Sequence, residues 1–158
     1  MTTQPDTEDP VALLEELTGG QRTVMHVDQS TGTMHARQMT VIESSAGIFR
    51  FLADRTHGWA SDGEVLLAFS DDDDGRWVSA NGTQRLVTDR AEVERLWSPI
   101  AKGWFEGPED PDVVVLEVSV EQFAWWDSSS SKLVRMVKLV KGTITGDADE
   151  GDHGVTEV

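Results

Sequence analysis

Few residues in this sequence have the type and spacing that catalysis or metal binding requires. Four histidines stand at positions 26, 35, 57 and 153, and no cysteine is present. His26 and His35 could face each other across a hairpin, but two imidazoles without a placed carboxylate make a poor zinc site. Residues 71–74 are four consecutive aspartates without the alternating ligands, central glycine and distant glutamate of an EF-hand loop. We therefore predict a turn there, and no bound metal.

Motifs for nucleophilic and nucleotide chemistry are missing as well. The chain contains no G-x-S-x-G turn, no Walker loop and no G-x-G-x-x-G. Without cysteine there is no thiolate nucleophile and no disulfide. These observations argue against hydrolase and nucleotide-transfer functions.

Residues 128–142, SSSSKLVRMVKLVKG, form a basic segment with four positive charges and no negative one, in a chain whose net charge is -16. We predict a helix at residues 132–141, and its serine-rich N-terminus could accept a phosphate, with Ser131 and Lys132 adding hydrogen bonds and charge. Alternatively, the basic segment could neutralise the acidic body or meet its counterpart in a dimer. The residue pattern leaves both possibilities open.

Four of the six tryptophans occur in two groups, Trp97 with Trp104 and Trp125 with Trp126. Large aromatic side chains near a sheet edge usually belong to a core or an interface. The alternative is contact with a planar ligand.

Hydrophobic periods and turn residues predict the elements that would position these groups. Asp9 and Pro10 begin a short amphipathic helix that ends at Gly19 and Gly20. A second helix is predicted from Asp89, over residues 90–97. Strands are predicted at residues 21–29, 33–43, 47–54, 64–71, 75–82, 83–89 and 113–127. Short strands joined by tight turns indicate an antiparallel sheet closed into a small barrel.

Length and charge restrict the class of protein. The 158 residues suffice for one domain with a single core. With 29 acidic and 13 basic side chains, the chain repels phosphate backbones and anionic lipids. No apolar run is long enough to span a membrane, and residues 1–10 do not resemble a signal peptide. We predict a cytoplasmic protein with no nucleic acid or membrane partner, a flexible N-terminus (1–8), one domain (9–145) and a disordered acidic tail (146–158).

Several stretches of the chain together resemble one family. They are HARQM at 35–39, FLADR at 51–55, GRWVSANG at 75–82, DRAEVERLWSP at 89–99, KGWF at 102–105, DPD at 110–112 and WDSSSSK at 126–132. The combination of LWSP, KxWF, DPD and WDxxSSK is specific, whereas each piece alone is weak. From about residue 10 to 145, the chain resembles the general stress protein branch of the FMN-binding split-barrel superfamily, which pyridoxamine 5'-phosphate oxidase typifies.

That resemblance implies a mainly β (α+β) fold, a six-stranded antiparallel split β-barrel with peripheral helices. It also implies a homodimer with two FMN sites at the subunit interface. By carry-over, the predicted cofactor-binding residues are Arg37, Gln38, Met39, Phe51, Leu52, Ala53, Arg55, Thr56, Trp126, Ser131 and Lys132. No catalytic residue is assigned, because a bound flavin would supply the chemistry.

The sequence also departs from the family pattern. Thr56 stands where the family has a serine that helps to hold the phosphate. Two residues later the family usually has a phosphate-binding lysine, and this chain has Gly58. Each lost charge-assisted hydrogen bond would cost about 1.5–3 kcal/mol of phosphate binding. Arg55, His57 and the cations of the basic segment are the candidate substitutes.

Three functions are compatible with these residues. The first is an FMN-dependent oxidoreductase, a general stress protein that passes electrons or hydride to an unknown small acceptor. The second is a non-enzymatic stress or binding module in which FMN binding is weakened or lost. The third is a relative that binds the deazaflavin F420, ranked last because the acidic F420 tail would meet an acidic protein.

Overall fold

The structure is a computed structural model, and it describes residues 9–127 and 135–138. Its helices are α1 (Pro10–Thr18), α2 (Arg90–Leu96) and a 3₁₀ helix (Pro99–Gly103). Its strands are β1 (Thr23–Asp28), β2 (His35–Thr40), β3 (Glu43–Ser45), β4 (Ile48–Asp54), β5 (Gly63–Asp71), β6 (Arg76–Val87), β7 (Val113–Asp127) and β8 (Arg135–Lys138). None of these helices is long and apolar enough to cross a membrane. The predicted flexible N-terminus and acidic tail, residues 1–8 and 146–158, lie outside the described residues.

All described strands pair antiparallel in one curled sheet. The strand order is β2-β1-β5-β6-β7-β4-β3, and β8 pairs with β7 off this path. The 15-residue strand β7 pairs with β6 along one edge, and its other edge pairs with β4 and, further along, with β8. This arrangement confirms the predicted split barrel with peripheral helices, although eight strands are described instead of six.

The main core lies inside the curl of the sheet. In β4, buried and partly exposed residues alternate, so Phe49, Phe51 and Ala53 face inward. Helix α1 closes one side with Leu13, Leu14 and Leu17, whose spacing gives a single apolar face. The side chain of Asp9 caps α1 by accepting a hydrogen bond from the Ala12 amide, as the Asp-Pro start predicted.

A second core lies on the other face of β7. Val93 and Leu96 of α2 pack against Val113 and Val115, so the beginning of β7 is buried on both faces. The side chain of Asp89 caps α2, accepting from the Ala91 amide at 3.0 Å. The predicted start of this helix is therefore confirmed. The 3₁₀ helix follows at once, because Pro99 cannot continue the α-helical hydrogen bonding.

Two predictions about strands 75–82 and 83–89 need correction. The structure has one strand there, β6, with a bulge at Asn81 and Gly82. Gly82 does not end a strand; it marks the point where β6 passes close to the Ser119 carbonyl.

The predicted helix over residues 132–141 is wrong where the structure describes it. Residues 135–138 form β8, which pairs with Gln122–Trp125 of β7. The apolar residues of this stretch include valines, which suit a strand, and the open edge of β7 supplies the hydrogen-bond partners. The remainder of the basic segment, including Ser131 and Lys132, lies outside the described residues.

Candidate functional site

A cavity of about 450 Å³ opens where the curled sheet leaves β2 and β4 unpaired with each other. Residues from β2, β4, the loop that follows β4 and the 3₁₀ helix line it. They are Arg37, Gln38, Met39, Thr40, Ile42, Leu52, Ala53, Asp54, His57, Trp59, Ile100, Ala101, Trp104 and Phe105. This volume is within the range of small-molecule sites.

The walls of the cavity are largely apolar. Met39 and Ala53 are buried and belong also to the main core, so they form a fixed floor. Leu52 and Phe105 pack against the second core, on the side of the 3₁₀ helix. The mouth is formed by Ile100 and Trp104, which are 44% and 69% exposed. Such a slot can accept a flat, apolar ring system.

Arg37 provides a fixed positive charge in the cavity wall. Its Nη1 and Nη2 donate to the two carboxylate oxygens of Asp28 at 3.1 and 3.4 Å. The guanidinium carbon lies 4.3 Å from the centre of the Trp59 ring, in cation–π contact. Asp28 is buried and balances part of this charge. Arg37 can therefore offer its remaining donors to a ligand without moving.

A second polar region lies on the loop after β4. Asp54 Oδ1 accepts hydrogen bonds from the Thr56 amide at 2.8 Å and the Thr56 hydroxyl at 2.6 Å. These two bonds, first the hydroxyl and then the amide, lower the pKa of Asp54 below its usual value. The His57 ring stacks on Trp59, with centroids 5.6 Å apart. The cavity thus has a carboxylate and an imidazole on the same rim.

The structure brings together some of the predicted site residues and separates others. Arg37, Gln38, Met39, Leu52 and Ala53 all line the cavity. Their predicted contact with a cofactor stays a prediction.

Other predicted residues lie elsewhere among the described elements. Phe51 points into the main core and meets the edge of the His26 ring. Arg55 lines a separate, shallow cleft beside Arg90, and Trp126 pairs across the sheet with Trp77. Thr56 lies next to the cavity, but its hydroxyl already donates to Asp54.

Sequence reasoning missed several residues of this site. Trp59 was not singled out, although it touches Arg37 and His57. Ile100 and Asp28, a partner of Arg37, were missed in the same way, and His26, its other partner, was considered only as a metal ligand. The contacts around Arg37 join distant parts of the chain, so the sequence gives little local indication of them. The one local indication is the position of Trp59, an aromatic residue soon after β4.

The expected pairing of His26 with His35 is wrong. In the β1–β2 register His26 lies opposite Arg37, and His35 lies opposite Asp28. Among the residues that the structure describes, no cluster of three metal-binding side chains occurs. A hairpin register that differs by two residues from the expected one accounts for this error.

The sequence pattern of the family described as pyridoxamine 5'-phosphate oxidase like matches residues 9–150. The chain belongs to this family. Membership agrees with the curled antiparallel sheet described above.

Solved structures of general stress proteins are similar to the chain. A general stress FMN/FAD binding protein from Xanthomonas citri is 29% identical, with 84% of this chain and 97% of that chain covered and a TM-score of 0.66. A general stress family protein from Xanthomonas campestris pv. campestris is 30% identical, with 85% and 99% covered and a TM-score of 0.66.

A curated relative is Protein bli-3 of Neurospora crassa, which is 28% identical over 75% of this chain. The match spans 64% of the length of the Neurospora protein.

Proposed function

We propose that the chain binds FMN in the β2–β4 cavity and acts as a flavin-dependent oxidoreductase of the general stress group. The observation that carries this proposal is the cavity itself, an apolar slot of about 450 Å³ with the guanidinium of Arg37 in its wall. The Xanthomonas citri relative is an FMN/FAD binding protein, which supports the same cofactor class.

The described residues fit the ring of a flavin better than its phosphate. Met39, Leu52, Ala53 and Phe105 would hold the ring by apolar contact. Arg37, which Asp28 partly neutralises, would donate to the ring, and for the phosphate the described part of the cavity offers His57, with the Asp54 carboxylate on the same rim. Phosphate should therefore add little to affinity.

When bound, the flavin would supply hydride or electron transfer to a small acceptor. The chain's own part would be to bind, orient and exclude water. Gln38 and Arg37 line the cavity as hydrogen-bond donors. Trp104 at the mouth is largely exposed and would limit access from solvent.

A homodimer belongs to this proposal. The exposed apolar residues Ile100 and Trp104 leave the cavity open on one side. A second subunit placed there would bury them and complete the slot.

Titration with FMN and with riboflavin, followed by quenching of flavin fluorescence, tests the proposal. Arg37→Gln should weaken the binding of both FMN and riboflavin about tenfold, since one charged hydrogen bond is worth about 1.5–3 kcal/mol. Arg55→Gln is the matched control, because Arg55 lines the separate cleft and its loss should change affinity little. A wild-type protein that leaves the fluorescence of both flavins unchanged would rule out flavin binding.

A second candidate is a binding module without redox turnover. It is favoured by the loop after β4, where Gly58 has no side chain and the Thr56 hydroxyl is occupied by Asp54. Binding of FMN without its reduction by NADH, NADPH or reduced F420 would distinguish this candidate from the oxidoreductase.

A further inference from the structure

Behind Arg37 lies a histidine whose surroundings fix the position of its proton. His26 has 0% of its surface exposed. Its Nε2 lies 2.6 Å from Gln84 Oε1, and its Nδ1 lies 3.0 Å from Arg37 Nη1. Both ring nitrogens are therefore engaged, one with an amide and one with a cation.

The orientation of Gln84 decides which nitrogen of His26 carries the proton. Gln84 Nε2 donates to the carbonyl oxygens of Trp59 and Ser61, at 3.1 and 2.7 Å. An amide nitrogen only donates, so Gln84 Oε1 must be the atom that faces His26. His26 Nε2 must then be the donor, and the lone pair on Nδ1 is left to accept from Arg37. His26 is neutral in this arrangement, with its proton on Nε2.

This chain of hydrogen bonds joins Arg37 to the loop that lines the cavity. Gln84 holds the backbone of Trp59 and Ser61, and the Trp59 ring in turn covers the Arg37 guanidinium. A free arginine side chain loses rotamer entropy when it is ordered. A guanidinium that is already held avoids this cost when a ligand binds.

We propose that His26 is a positioning residue that holds Arg37 ready for a ligand, and that protonation of His26 releases Arg37 and weakens ligand binding in acid. The effect on affinity rests on the proposed flavin site. The position of the proton and the response of Arg37 do not depend on it.

The charges around His26 set the direction of this response. Among the described residues, the charged groups that face it are Arg37 and Asp28, while Gln84, Phe51 and Trp59 are neutral. Burial is the main cause that lowers the pKa of His26 below 6.5, and Arg37 lowers it further, against the opposing effects of Gln84 and Asp28.

A second proton on His26 would sit on Nδ1 and point at the N–H group of Arg37. Two donors and two positive charges would then face each other. Because the pKa of His26 is lowered in the folded protein, the arrangement in which neutral His26 accepts from Arg37 is fully favoured above pH 6.5. It is lost as the pH falls through the lowered pKa of His26.

The first test uses the flavin-free protein, uniformly labelled with ¹⁵N so that histidine, arginine and indole nitrogens are all observed. Long-range ¹H–¹⁵N spectra at pH 8 should show His26 protonated on Nε2 alone, assigned by the loss of its signals in His26→Gln. On acidification, the side-chain signals of Arg37 and the indole signal of Trp59 should shift together with His26. A proton on Nδ1, or an Arg37 signal that ignores the titration of His26, would overturn the proposal.

The second test measures riboflavin affinity against pH. Riboflavin has no phosphate to titrate, and a His57→Gln background removes the other imidazole of the cavity. In that background, affinity should fall about tenfold as His26 is protonated. His26→Asn keeps an oxygen near the Nδ1 position. In this variant riboflavin affinity should not change with pH and should stay close to the affinity that the protein with His26 has at pH 8.

His26→Gln should lower riboflavin affinity about tenfold at pH 8, because the glutamine keeps a donor for Gln84 but offers Arg37 no acceptor at the Nδ1 position. His35→Gln is the control on the same hairpin, since His35 is exposed and should leave the profile unchanged. An equal fall in acid with and without His26 would refute the proposal. If wild-type protein binds neither flavin, the proposed function fails, and the spectra of the flavin-free protein alone decide for or against the link between His26 and Arg37.

Discussion

At the scale of single residues, Gly58 bears directly on how strongly a phosphate can bind. It lies between His57 and Trp59, which both line the cavity, and a Cβ added to it would meet nothing within 4 Å. Gly58→Lys should therefore fit, and it would restore the cation that the family usually has there. We expect FMN affinity to rise about tenfold, with riboflavin affinity unchanged.

Fluorescence titration of the two flavins measures this difference, and Gly58→Ala serves as the matched control. An equal gain for FMN and riboflavin would show that the lysine acts through the loop and not on the phosphate. No gain for either would mean that position 58 does not face the phosphate.

Gly82 illustrates the opposite situation, a glycine with no room for a side chain. A Cβ at this position would overlap the carbonyl oxygen of Ser119 on β7. Gly82→Ala should lower the free energy of unfolding by roughly 1–3 kcal/mol, because the backbone of β6 or β7 must shift. Gly103→Ala, with open space around it, should change it by less than about 0.5 kcal/mol. Urea unfolding compares the two, and equal effects would contradict the close approach at the bulge.

At the scale of elements, an ion-pair network joins β3, β4, β7 and α2. Arg50 of β4 donates to Glu117 of β7 at 2.9 Å and to Glu43 of β3 at 2.7 Å. Arg95 of α2 donates to the other oxygen of Glu43 at 2.7 Å. The side chains of Arg50 and Glu117 are only 15% and 14% exposed, so water screens their pairing little.

This network should make stability depend on pH. The hydrogen bond from Arg95 is the main cause that lowers the pKa of Glu43. Burial is the largest single effect on Glu117 and raises its pKa, but the hydrogen bonds and charges of Arg85 and Arg50 together lower it by more. Stability from both carboxylates is present above pH 4.5 and is lost as the pH falls through the lowered folded values.

Arg50→Met should lower the free energy of unfolding by about 1–3 kcal/mol at pH 7 and by less at pH 4, as measured by urea unfolding. Arg85→Met is the control, because 69% of the Arg85 side chain is exposed. It should lower the free energy of unfolding by less than about 1 kcal/mol. A cost for Arg50→Met that is the same at both pH values would exclude an electrostatic origin.

At the scale of the whole molecule, the proposed homodimer makes a concentration-dependent prediction. If a second subunit closes the cavity over Ile100 and Trp104, FMN affinity should fall when the protein is diluted below its dimer dissociation constant. Ile100→Asp should both separate the subunits and weaken FMN binding. Met34→Asp, at an exposed site in the β1–β2 turn, should do neither.

Sedimentation velocity and flavin titration, carried out at the same protein concentrations, test this prediction. A monomer that binds FMN with full affinity would contradict a shared site. A dimer that tolerates Ile100→Asp would place the interface elsewhere on the surface.

Much of the fold was predictable because its signals are local. The Asp-Pro start of α1, the Asp89 cap of α2 and the β-branched run of β7 each depend on neighbours in the chain, and all three predictions are confirmed. The continuous strand β6 and the strand β8 were not foreseen. Both depend on β7, which runs past the bulge at Gly82 and leaves an edge for residues 135–138.

The antiparallel sheet, the family and the part of the cavity that lies on β2 and β4 could be predicted from the sequence, because strand periods, caps and family motifs are properties of neighbouring residues. The surroundings of Arg37 could not be predicted in this way. Asp28, His26, Trp59 and Gln84 come from separate segments, and their distances follow from the register of β1 with β2 and from the curl of the sheet. Local sequence carries no measure of those distances, and hydrogen bonds and cation–π contacts depend on them directly.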